Sequence, residues 1–276
     1  MERIPFGISR LDTTLGGGAP RGSVVLLTGE AGAGGREFMY TSAVMSATAH
    51  TDERLFNLHY GQRATNAVLP EEVHYLSFTD SYTQFEEELE LSMETELART
   101  GLERIEFKSL ADSYFRTSAV PRDWYVDEST SRGTYPGEQQ NIVNLTGDVL
   151  NERAPNNLVV IDSLSDLVSA TGEQLEWADI IYFVKGLRRV AHEWGGLILL
   201  HVDHDTLTET EHGQIIDSCS GALRFRWSTG GSVLARTLML KSFRGILSQI
   251  DEDDLVEFES ELGGSGFTVS NVRKIR

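Results

Sequence analysis

Short apolar runs separated by longer amphipathic stretches set the first expectation for this chain. Val24–Thr28, His74–Phe78, Leu158–Ile161 and Leu197–Val202 have strand length and are dominated by Val, Ile and Leu. Runs of this kind between helical patterns predict a mostly parallel sheet covered by helices. Glu37 to Ala49 has helical character. Phe85, Leu89, Met93 and Leu97 recur at every fourth position and predict one apolar stripe along an acidic helix. Trp177, Ile180, Ile181, Val184, Leu187, Ala191 and Trp194 mark a further helix, which Gly195-Gly196 ends. After Ser220-Gly221 the pattern changes to the short runs Ala222–Trp227, Ala235–Leu240, Val256–Phe258 and Phe267–Val269, punctuated by glycine. This predicts an antiparallel extension at one sheet edge. Residues 111–140 are polar and turn-rich and read as a long surface insertion, in which Trp124 and Tyr125 either anchor a partner or fold back on the core.

Composition narrows the class. A length of 276 residues with 40% hydrophobic content suits one α/β domain spanning 1–276. Basic residues number 24 against 42 acidic ones, for a formal charge of −18, and only Lys108, Lys185, Lys241 and Lys274 are lysines. An acidic, Arg-over-Lys surface fits a very salty cytoplasm, where the Debye length of about 3 Å at molar salt mutes carboxylate repulsion; an ordinary acidic cytosolic protein is the alternative. The charge argues against a nucleic-acid surface. Arg188-Arg189, Arg224 and Arg226 read as a solvated face, with a subunit contact as the alternative. Cys219 is the single cysteine, which excludes a disulfide framework. No run has the length of a membrane span, and the residues from Met1 to Pro5 open no signal peptide, so a cytoplasmic location is expected.

The chemistry concentrates in Ser23–Arg36. An apolar strand runs into a glycine-rich turn and then a helix, the frame of a phosphate-binding loop. Gly29 and Gly34 hold the two glycine positions of G-x-x-x-x-G-K-[ST], with Gly32 between them. Gly35 stands where the phosphate-binding Lys belongs, and Arg36 where the Mg²⁺-binding Ser/Thr belongs. Backbone N–H groups and the helix dipole still favour an anion there, and a glycine turn kept for strand–helix packing is the alternative. The Arg36 guanidinium suits phosphate but repels Mg²⁺. Leu158–Ser163 is an apolar strand ending in Asp162, the pattern of a carboxylate placed beside a nucleotide's Mg²⁺, or else a simple helix cap. His201 and His204, interleaved with Asp203 and Asp205, have a spacing open to metal but lack a third ligand.

One segment carries a wider resemblance. Pro5 to Ser23, with Gly7, Leu11-Asp12, Gly16-Gly17-Gly18, Pro20 and Gly22-Ser23, resembles the lead-in of KaiC-like members of the RecA superfamily. The glycine loop, the Asp162 strand and Phe243-Arg244-Gly245 follow in the family's order, and the whole resembles its haloarchaeal transducer-like (HTR-like) branch. The resemblance implies a RecA-like P-loop NTPase fold, with a mostly parallel central sheet flanked by helices and a C-terminal antiparallel extension. It implies ATP or ADP as ligand, Asp162 in the Walker B role as catalytic group and metal ligand, and Asp80 as the group that prepares the attacking water. Gly29, Gly32, Gly34, Gly35 and Arg36 would contact nucleotide, and Arg244 would reach a neighbouring subunit's nucleotide in trans. The departures weigh against catalysis. Asp80 is one methylene shorter than the family's Glu, and Ser242 stands at the Lys position of the trans element, with Lys241 out of register. With Walker A degenerate and Mg²⁺ disfavoured, the expectation is a pseudo-ATPase acting as a regulatory or scaffolding protein, as a homo-oligomer or with a signalling partner. The alternatives are an active ATPase using Arg36 or a trans Arg244, and a recombination or repair accessory protein.

Overall fold

The computed structural model describes residues 1–126, 141–171, 176–228, 235–243 and 256–274. The chain opens with a two-stranded ribbon, β1 (Arg3–Ile4) and β2 (Ala19–Pro20), bracketing helix α1 (Ser9–Thr14). Then follow β3 (Ser23–Gly29), α2 (Gly35–Thr51), α3 (Glu53–His59), β4 (Val73–Ser77), α4 (Tyr82–Ser92), α5 (Thr95–Leu102) and β5 (Ile105–Ser109). The middle holds α6 (Ala111–Tyr114), α7 (Ile142–Arg153), β6 (Leu158–Asp162), α8 (Leu164–Thr171) and α9 (Trp177–Trp194). The chain continues with β7 (Leu197–Asp203), α10 (Glu209–Ser218), β8 (Gly221–Ser228), β9 (Ala235–Phe243), β10 (Val256–Gly263) and β11 (Gly266–Lys274).

Nine strands form one sheet in the order β11-β10-β9-β8-β3-β7-β6-β4-β5. From β8 to β5 neighbours are parallel, and from β8 to β11 they are antiparallel. β3, β4 and β6 are buried throughout, which is why they read as unbroken apolar runs. One core, from Leu27, Leu199, Val160 and Tyr75, packs under α2; the other, from Val24, Val159, Leu164, Val184 and Ile215, lies under α7 to α10. β5 alternates buried and exposed as an edge strand does, and the helix α7 was not foreseen in the sequence pattern.

The expected single stripe of Phe85, Leu89, Met93 and Leu97 is instead shared by two helices. Met93 is extended at φ −155°, between α4 and α5. The Glu94 N–H donates to Gly264 O at 2.8 Å, so the β10–β11 turn satisfies a backbone group that a continuous helix would have used internally. The hairpin is also pinned to α2. Its buried Phe267 N–H donates to Thr41 Oγ1 at 2.7 Å, and the Phe267 ring packs 5.5 Å from Phe38. Thr41→Val keeps the shape but leaves that N–H without an acceptor. The substitution is expected to lower stability by about 1–3 kcal/mol, checked by the urea midpoint.

The lead-in motif has a structural basis. Asp12, 1% exposed, accepts from Phe6 N–H at 2.7 Å, Gly7 N–H at 3.0 Å and Tyr60 Oη–H at 3.1 Å. Burial pushes its carboxyl up to about 7, with the Phe6 N–H opposing the shift. Within the expected insertion, α6 and two 3₁₀ turns carry the chain to Val126. Tyr125 folds back on Phe115 with ring centres 5.5 Å apart, whereas Trp124 stays 78% exposed. Residues 127–140 lie outside the described residues.

Candidate functional site

The parallel register aligns Gly29 with Asp203 and Phe225, and Ser77 with Asp162. The carboxyl ends of β3, β4, β6 and β7 therefore meet at one edge of the sheet, where ligands bind in open α/β folds. The loop from Glu30 to Gly34 sits at this edge and hands the chain to α2. Gly34 caps α2 at φ +108° and provides no side-chain acceptor, so the first N–H groups of the helix stay available.

The loop's own carbonyls are held from outside. Trp227 Nε1–H donates to Ala31 O at 3.1 Å, and Arg236 Nε–H donates to Gly32 O at 2.9 Å. The Arg236 guanidinium lies 4.6 Å from the Trp227 ring centre. Glu30 accepts from the Trp227 N–H at 3.2 Å, and the Glu30 N–H donates to Phe225 O at 3.2 Å. Two of the loop's carbonyls, those of Ala31 and Gly32, are thus turned to β8 and β9.

Arg36, the second residue of α2, turns into this edge. Its Nε lies 3.4 Å from Asp162 Oδ2 and its Nη1 3.9 Å from Glu88 Oε2. Asp162 is 1% exposed, and its Oδ2 also accepts from Tyr75 Oη–H at 2.7 Å. On the other side, His201 Nδ1 faces Asp162 Oδ1 at 3.5 Å, an ion-pair separation longer than a formed hydrogen bond. Tyr40 Oη–H donates to Glu88, tying the second carboxylate to α2. Burial alone would raise the Asp162 carboxyl, but the His201 imidazole and the Arg36 guanidinium outweigh it and hold it below the usual carboxylate range. For Arg36 burial acts in the lowering direction, and Asp162 more than reverses it, so the guanidinium stays charged. Asp80, at the end of β4, accepts from Ser77 Oγ–H at 3.2 Å; burial raises its carboxyl, and Arg36 partly offsets that.

Mg²⁺, which the fold class implies, does not fit these groups. The Arg36 guanidinium lies 3.4 Å from Asp162 Oδ2 and stands where the loop's Ser/Thr hydroxyl would be. Mg²⁺ needs near-octahedral oxygen coordination, and a guanidinium 3.4 Å from Asp162 opposes a second cation there.

The fold therefore gathers Gly29, Gly32, Gly34, Gly35, Arg36, Asp80 and Asp162 at one sheet edge. Arg244 lies outside the described residues. Phe243 before it pairs with Gly221, which in turn is in register with Val25, at the end of the sheet away from the loop. His201 and His204 do not share a site: His204 Nε2 is bonded to Arg224 Nη2 at 2.8 Å, and its ring lies 4.3 Å from His212. Arg224 is accordingly half-buried against these histidines, a correction to the solvated face expected of it, because β8 lies inside the sheet beside β3. Sequence reasoning did not find Tyr75, Tyr40, Glu88, Trp227 or Arg236. Tyr40 was accessible, since it lies four residues after Arg36 on one helix face. Trp227 and Arg236 were not, because only strand pairing brings them to the loop.

A mostly parallel sheet between helical layers, a glycine loop between β3 and α2, and a carboxylate ending β6 define the RecA-like P-loop NTPase fold. Its solved relatives in shape include a KaiC-like protein, PH0186, from Pyrococcus horikoshii OT3, with a TM-score of 0.62 at 17% identity over 98% of this chain and 99% of that one. They also include the flagellar accessory protein FlaH from Methanocaldococcus jannaschii, with a TM-score of 0.60 at 16% identity and the same coverage, 98% and 99%. No protein-family model matches the sequence, and no curated protein matches it. Among the described residues no helix is long and apolar enough to cross a membrane.

Proposed function

We propose that this chain is a single-domain KaiC-like protein of the HTR-like branch whose degenerate Walker A loop binds the phosphates of ATP or ADP without hydrolysing them at ordinary rates. Its role is regulatory or scaffolding, in a salty archaeal cytoplasm and as a homo-oligomer or with a protein partner. The observation that carries the reading is the contact between Arg36 and the buried Asp162, at 3.4 Å, in a loop with Gly35 at the Lys position. Phosphoryl transfer depends on positioning and on neutralising developing charge. A carboxylate that faces its own arginine disfavours the metal that would neutralise the β- and γ-oxygens. The acidity of the chain and the accessory role named for FlaH support a protein-directed role over a nucleic-acid one.

The test is Mg²⁺-dependent ATP turnover in multimolar KCl. Turnover is expected to stay far below the roughly 1–1,000 s⁻¹ of ordinary enzymes, and unchanged in Asp162→Asn. Turnover in that range, abolished by Asp162→Asn, would overturn the reading. The alternative of an active ATPase is supported by the partial exposure of Arg36, 42% for its side chain, which leaves it able to reach a ligand. Turnover lost in Arg36→Ala would favour that alternative.

A further inference from the structure

We propose that His201 contacts the anion in this site, occupying the space that the absent side chain at position 35 leaves and presenting Nε2 to a phosphate bound without a divalent cation. The proposal rests on the reading of the loop as a phosphate site and names the group that completes it.

Three observations carry it. First, a Cβ built on Gly35 would stand 3.3 Å from His201 Nε2 and 3.6 Å from His201 Cδ2, so the imidazole edge fills the room in which a lysine stem would start. Second, the imidazole is nine-tenths buried, its side chain 9% exposed, and its Nδ1 has no hydrogen-bond partner among the described residues. Nor has Asp162 Oδ1, which faces that Nδ1. Asp162 thus accounts for the Nδ1 side of the ring, and Nε2 is the nitrogen left for the loop side. Third, with Nδ1 toward Asp162, the opposite ring nitrogen points at the first turn of α2. The uncapped N–H groups of Gly35, Arg36 and Glu37 lie there, in a helix of 17 residues.

β7 makes the placement possible. His201 is in register with Leu27, two residues before Gly29, and its side chain shares the face of Leu199, under α2. Asp162 and Arg36 reach the same space from β6 and α2. The ligand class is a phosphate-type anion, met by helix N–H groups, one guanidinium and one imidazole. It is either the diphosphate of a nucleotide or a free polyphosphate. The residues at 35, 36 and 201 then form one site. Restoring the ordinary loop residues with Gly35→Lys and Arg36→Ser, while leaving His201 in place, brings a new side chain against the imidazole.

The test is calorimetric titration in EDTA with inorganic pyrophosphate and with ADP, comparing wild type, His201→Gln, His201→Asn and His201→Ala. The Gln amide nitrogen reaches the Nε2 position, whereas that of Asn reaches only Nδ1. A ligand contact predicts pyrophosphate affinity within about threefold for Gln and about 10- to 100-fold weaker for Asn and Ala. Rescue by Asn but not Gln, or wild-type affinity in all three, would assign His201 to holding Asp162 and overturn the proposal. On the unmutated protein, the His201 ¹⁵Nε2 resonance is expected to move on adding pyrophosphate; binding that leaves it in place overturns the proposal equally. If wild type binds neither ligand, the loop is no phosphate site and the broader reading falls too. Equal responses to both ligands identify polyphosphate recognition, and a tighter response to ADP identifies a nucleotide.

Discussion

Asp162→Ala is expected to lower the stability of the fold by about 2–4 kcal/mol. The carboxylate is the common partner of Arg36, His201 and Tyr75, at 3.4, 3.5 and 2.7 Å. Breaking a buried ion pair from one side typically costs about 3–5 kcal/mol, because the other charge is left uncompensated. The Arg36 side chain is 42% exposed and can turn to water, which lowers the expected figure. The pH dependence has a definite sign. The Asp162 carboxyl is held below its usual range in the folded chain. Its contribution is therefore complete above the unfolded value of about 3.9, and it is lost as the pH falls through the lowered folded value. Urea midpoints measured at neutral pH and near pH 3 should converge between wild type and Asp162→Ala on acidification. Equal midpoints at neutral pH would show that the network does not stabilise the fold.

Gly34→Val should cost at least about 3 kcal/mol. The φ of +108° at Gly34 excludes a β-branched residue, and a Cβ there would lie 2.7 Å from Phe267 Cε2. Phe267 cannot yield easily, because it packs against Phe38 and Phe225 with ring centres 5.5 and 5.7 Å away. Gly61→Ala is the control. It has φ +87° and nothing within 4 Å of its built Cβ, so only backbone strain of about 1 kcal/mol is expected. Thermal melts of the two variants separate the steric part from the conformational part. A Gly34→Val melt no lower than that of Gly61→Ala would mean that the hairpin is not packed against the loop as described.

Much of the sheet was legible because its strands are buried on both faces. Val24–Thr28 and Leu197–Val202 read as strands from apolarity alone and fall inside β3 and β7. The antiparallel extension was legible from its glycine punctuation. The broken acidic helix was not, since what interrupts it is a bond from Glu94 to Gly264, and a periodic stripe carries no sign of a partner that distant in sequence. At the site, the glycines and Asp162 could be read from motif spacing. The destination of Arg36 could not, because a side chain in the first turn of a helix can point to ligand or to protein. The sequence offered His201 only as half of an incomplete metal pair; that it faces Asp162 on the adjacent strand came from the register of β6 and β7. Registers between non-consecutive strands carried the missing information.

The clasp of Trp227 and Arg236 on the loop has a thermodynamic consequence. Both residues belong to the antiparallel wing of the sheet, β8 and β9, yet they grip the carbonyls of Ala31 and Gly32. If filling the loop changes how firmly its carbonyls are held, the same free energy must appear in the docking of that wing, and by reciprocity a protein that tugs on the wing alters the loop's hold on its anion. Two hydrogen bonds thus join the loop at the binding edge to strands on the far side of β3, so a load placed on either is shared by the other.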